Sequence, residues 1–134
     1  MGKLVAHLRD GRKQIRLTER PGVVALDLSY ALFPGQCLEA PSEPEAIAFL
    51  AKATEVALWG CRNAVRATLN QSGVLGIIAH VQVPVVLTGG AGVPPLNTCT
   101  RWTLVPSAID NRAEWVGTFA RQCEIGLLGP LPDV

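Results

Sequence analysis

The feature that most constrains this chain is a stretch in its middle where apolar residues recur at every second position. Leu75, Ile77, Ala79, Val81 and Val83 alternate with Gly76, Ile78, His80 and Gln82. A period of two fits a β-strand with one buried face, so a sheet is expected at the centre of the fold. Pro84 follows and cannot donate a ladder hydrogen bond, so the strand should bend or change partner there. Residues 88–97 form a glycine- and proline-rich loop, and 98–105 read as another strand.

Upstream, two segments of mixed polarity flank Asp10-Gly11. Asp-Gly tolerates the positive φ of a tight turn, so residues 1–30 read as a hairpin followed by a strand, with Val24, Leu26 and Leu28 on one face. Ser42-Glu43-Pro44-Glu45 has the capping-box arrangement. Ile47, Leu50, Ala51, Thr54 and Leu58 follow at helical spacing, which predicts a helix over 42–59. From Arg62 the period returns to two: Arg62, Ala64, Arg66, Thr68 and Asn70 on one side, Val65, Ala67 and Leu69 on the other. Asn111, with Glu114 three residues on, caps a last helix over 111–128 carrying the stripe Val116, Phe119, Ala120, Cys123 and Leu127. The expected fold is one α+β domain over 1–134, an antiparallel sheet spanning 62–105 with helices on one face.

Composition matters for what such a domain does. A chain of 134 residues with 49% hydrophobic and 17% charged residues has more apolar sequence than one small domain can hide, which predicts a large subunit interface. The net charge of +1 means that any nucleic-acid role must rest on a local patch repeated in many copies. Cys37, Cys61, Cys99 and Cys123 contain no CxxC pair, so no metal site is expected. No signal-peptide pattern opens the chain and no apolar run reaches the roughly 18 residues of a membrane span, so a reducing cytosol is the expected compartment. Gly89-Gly90-Ala91-Gly92 lacks the phosphate-loop pattern, and neither His7 nor His80 belongs to a catalytic motif. No catalytic residues and no cofactor are predicted, and the chain does not read as an enzyme.

From residue 74 onward the chain resembles the single-stranded RNA bacteriophage coat proteins. The order of parts carries this: Val81-Gln82-Val83-Pro84, the loop with Pro94-Pro95, the strand Arg101-Trp102-Thr103-Leu104-Val105-Pro106, and then a long helix. The resemblance implies a capsid subunit of a virion, assembled in the bacterial cytoplasm. Two copies would share one sheet, with Val116, Phe119, Cys123 and Leu127 at the dimer interface. Gly89, Gly90, Gly92, Pro94 and Pro95 would form the loop between dimers. The inner face would bind a viral RNA hairpin through Arg62, Arg66, Thr68, Asn70, His80 and Gln82, since arginine meets phosphates and Asn or Thr can read base edges. On the neighbouring strand, alignment on Pro106 puts Thr98, Thr100 and Trp102 on that face. The polar alternative, Arg101 and Thr103, is preferred because burying an unpaired arginine is costly. The competing reading is a small intracellular α+β oligomer that binds a metabolite or a protein partner.

Overall fold

The computed structural model describes residues 2–107 together with residues 114, 118, 121, 122, 126 and 127. The elements run α1 (Gly2–Thr18), β1 (Gly22–Asp27), α2 (Ser29–Leu32), β2 (Leu38–Ala40), α3 (Glu43–Gly60), α4 (Arg62–Leu69), β3 (Val74–Leu87), β4 (Leu96–Pro106) and β5 (Gly126–Leu127). β3 is the spine of a five-stranded sheet. On one edge it pairs in parallel with β1, Asp27 facing His80, and then with β2, Leu38 facing Val85. On the other edge it pairs antiparallel with β4 over its whole length, His80 facing Trp102. β5 adds to β4 in parallel.

This mixed α/β sheet corrects the antiparallel one expected from sequence. The error lies in the connections. A parallel crossover needs a dozen or more residues and usually a helix, and the chain from β2 to β3 supplies two helices. Residues 62–70 are α4 with its C-cap rather than a strand. Cys61, Val65, Thr68 and Leu69 are buried at i, i+4, i+7 and i+8, whereas Ala67 is exposed. A strand would have paired Ala67 with Val65 inside and put Thr68 outside. Thr68 instead donates its hydroxyl to the Ala64 carbonyl at 2.7 Å, the i−4 bond of a helix.

The expected hairpin at Asp10-Gly11 is likewise a helix. Leu4, Leu8, Gly11 and Ile15 fall at i, i+4, i+7 and i+11 on the face of α1 that meets β1. Gly11 is there for close approach: a Cβ would come within 2.6 Å of Val24 Cγ1. α3 matches the predicted helix, with Glu45 N–H donating to Ser42 Oγ at 3.4 Å. Leu4, Leu8, Leu50, Leu58 and Val65 from three helices share one core with Val24, Leu26, Ile77, Val81, Val85 and Cys99 of the sheet. Of the C-terminal helix, Glu114, Thr118, Arg121 and Gln122 are helical, but Gly126 and Leu127 are strand. The predicted interface stripe therefore does not run on as helix to Leu127, and Val116, Phe119 and Cys123 lie outside the described residues.

The Gly11 contact gives a direct test of α1. Alanine should gain about 1 kcal/mol in helix propensity, yet overpacking against a stiff, buried valine costs roughly 1–3 kcal/mol. Gly11→Ala should therefore destabilise the wild type by about 1 kcal/mol and stabilise a Val24→Ala background by about as much, measured by urea unfolding. An equal loss in both backgrounds, as a turn glycine would give, contradicts the helix.

Candidate functional site

Once α1 is a helix, its charges converge. Arg9, Arg12, Lys13 and Arg16 lie at i, i+3, i+4 and i+7, one flank of the helix beside its packed face. With Asp10 and Gln71 they line an open cleft of about 640 Å³ where α1 runs past the turn between α4 and β3. Gln71 ties the two sides together by donating from Nε2 to the Arg12 carbonyl at 2.9 Å. None of the four cations is in an ion pair among the described residues. Residues 1–20 hold six of the twelve Lys and Arg and two of the eleven Asp and Glu, net +4 against −3 for the remainder. The near-neutral total conceals this. That uneven distribution was the signal available in the sequence.

The residues expected to bind RNA do not form one surface. Thr68 is buried inside α4, and Asn70 is its exposed C-cap. Arg62 lies over the Trp59 ring, 4.4 Å from its centroid, and donates to the Trp59 carbonyl at 3.3 Å. Arg66 is half-buried in the last turn of α4. Arg101 and Thr103 are on the helix side of β4 with Cys99 and Val105; Arg101 Nε and Thr103 Oγ1 are buried without a hydrogen-bond partner among the described residues. His80 and Gln82 are on the opposite, open face, and the strand-mates they face there are Trp102 and Thr100. The alignment on Pro106 thus gives the open-face residues, and the preference for Arg101 and Thr103 is reversed. Gly89, Gly90, Gly92, Pro94 and Pro95 form the exposed turn between β3 and β4. Its base is fixed where Gly89 N–H donates to the Pro41 carbonyl at 3.0 Å.

The open face has one further polar centre, where β1 stops and β2 has not begun. Along that edge of β3, residues 81–84 have no strand partner. Two residues make the gap tolerable. Gln82 N–H donates to Ser29 Oγ at 2.9 Å, and Pro84, the next residue aimed the same way, has no N–H to satisfy. Asp27 ends β1 here. Its Oδ1 accepts from Ser29 N–H at 3.0 Å and lies 3.6 Å from His80 Nδ1. His80 in turn stacks on Trp102, ring centroids 4.3 Å apart. The Ser29 backbone and side chain, with a smaller contribution from His80, hold the Asp27 carboxyl below its ordinary value of 3.8. Among the described residues there is no cluster of His, Cys, Asp or Glu fit to hold a metal, and no helix is long and apolar enough to cross a membrane. Comparison with known proteins finds no family model, no curated protein and no solved structure that matches the chain.

A carboxyl whose folded-state pKa is depressed contributes stability above its unfolded pKa and loses it as pH falls through the folded value. Asp27→Asn should therefore be less stable than wild type at neutral pH, and the gap should close as the acid range below 3.8 is entered. Urea unfolding at neutral pH and at about pH 3 measures it. A gap that persists in acid contradicts the Ser29 and His80 contacts as its source.

Proposed function

We propose that the protein binds nucleic acid through its phosphates, in the cleft between α1 and the turn after α4. The observation that carries this reading is the row Arg9, Arg12, Lys13 and Arg16 on one helix flank, unpaired among the described residues and facing a single carboxylate, Asp10. Seven helical steps spread these charges over about 10 Å, a line of charge suited to successive phosphates of a strand rather than to one small anion. The apolar face of α1 is already packed on β1, so this helix has no free face to insert into a membrane surface. Arginine supplies planar donors for phosphate oxygens, and such contacts position a strand without reading its sequence.

RNA is the ligand that the coat-protein resemblance implied, and the α1 cleft is a different surface from the sheet face that resemblance pointed to. The capsid subunit of a virion, which the coat-protein resemblance implies, draws no support from the architecture: its shared antiparallel sheet is here a mixed sheet, and its opening hairpin is a helix.

Phosphate binding has a distinct signature in salt. With four contacts to a single strand, the logarithm of the association constant for a short oligouridine should fall against the logarithm of salt concentration with a slope of about −3. Arg9 and Lys13 are both exposed, so the double variant Arg9→Ala, Lys13→Ala should change stability by less than about 0.5 kcal/mol. Its slope should drop to about −1.5. A slope near zero, or one the double variant leaves unchanged, rules out this cleft.

A further inference from the structure

A second cluster lies on the other side of the sheet and is unlike the cationic cleft in every chemical respect. Asp27, His80 and Trp102 are lateral neighbours on three adjacent strands, Asp27 facing His80 and His80 facing Trp102. The Asp27 side chain is 70% exposed, and its Oδ1 carries the Ser29 N–H and His80 contacts. Trp102 is 46% exposed although it is a large apolar residue on a strand. Between them His80 is held in place, its Nδ1 toward Asp27 and its ring on the indole. Gln82 and Thr100, the next facing pair on this surface, are also exposed and add an amide and a hydroxyl. The start of α2 borders the Asp27 end, where Ser29 Oγ accepts from Gln82 N–H, and the Asp27 side chain itself stays exposed.

We infer that this patch of the sheet face binds a guanine base, with its N–H edge on Asp27 and its ring system laid across His80 and Trp102. Three observations converge on that chemistry. The exposed Trp102 indole, with the 20% exposed His80 ring beside it, forms a platform for planar heteroaromatic rings, which all have a π-face to stack. Adjacent strands stand about 4.8 Å apart, so the outer two of the three residues are about 10 Å apart. A bicyclic purine plus one hydrogen bond covers that distance, and a pyrimidine falls short. The selector is the carboxylate, which accepts hydrogen bonds and donates none when ionised. An aspartate is ionised at neutral pH, and the Ser29 contacts favour that form of Asp27 further. Guanine presents two adjacent donors, the ring N1–H and the exocyclic N2 amine, to such a group. Adenine and cytosine each set an acceptor beside their amine and would turn it toward the carboxylate.

The site needs no phosphate, so it is tested apart from the α1 cleft with uncharged nucleosides. The Trp102 indole N–H and the Gln82 amide are followed by ¹H–¹⁵N NMR during titration with guanosine, inosine, adenosine and cytidine. Guanosine should shift both signals. Inosine lacks the N2 amine and should bind at least about fivefold more weakly, adenosine and cytidine more weakly still. Asp27→Asn should abolish the preference for guanosine over inosine, and Trp102→Ala should weaken every nucleoside, each variant keeping the wild-type spectrum away from this patch. A second arm compares guanosine with a short oligouridine carrying one central guanine, both on the Arg9→Ala, Lys13→Ala variant. Tighter binding of the free nucleoside assigns the site to a small ligand; tighter binding of the oligomer assigns it to a base within a strand. Equal affinity for adenosine and guanosine, a guanosine preference that survives Asp27→Asn, or no shift in either arm overturns the inference.

Discussion

The backbone of Val74–Leu87 is hydrogen-bonded along both edges, and that double pairing decides where every other element can lie. Its odd-numbered residues Ile77, Val81, Val83 and Val85 are essentially inaccessible to solvent, so that face must be covered along its whole length. α3 and α4 cover it, with α1 alongside them on β1. One edge takes β4 without interruption, while the other is shared by β1 and β2 in line. The break between those two strands is where backbone pairing is incomplete. Ser29 satisfies the one exposed donor there, and Pro84 removes the next. An interruption arranged in this way is stable, and it leaves Asp27 at an open strand end.

The two surfaces follow from that plan. Helices on one face of β3 bring the charged flank of α1 beside the turn that leads into the strand, and the cationic cleft forms at that junction. On the other face Leu104, Leu75 and Ile78 make an apolar cluster among the described residues. Beyond it the surface turns polar and aromatic, with His80, Gln82, Trp102 and Thr100. The sheet therefore separates the cationic flank of α1 from a patch of polar and aromatic side chains.

Some of this was legible in the residues. The alternation through β3 is unambiguous because β-branched residues repeat on one face, and α3 announces itself by Ser42 and Glu45. Pro84 marks a change of partner, as expected, though β3 runs on through it. Elsewhere two periods fitted the same letters. Val65 and Leu69 are compatible with a strand or a helix, and only the burial of Thr68 and the exposure of Ala67 separate them. Gly11 serves helix packing and turn formation equally well on paper, and the Asp before it tipped the reading to a turn. That choice also hid the cationic cleft. On a hairpin closed by Asp10-Gly11, Arg9 would share a face with Arg12 and Arg16 but Lys13 would turn away; on a helix all four share one flank. The direction of β1 and β2 was out of reach for a related reason, since it depends on whether the connection to β3 is helical.

The proposed cleft predicts where a strand of nucleic acid would touch the protein. Photocrosslinking of oligouridine carrying 4-thiouridine, followed by identification of the modified peptides, reads this directly. Crosslinks should concentrate in residues 9–16 of α1 and at the turn around Gln71, and should fade as salt rises. Crosslinks that spare residues 9–16 and persist at high salt would contradict it.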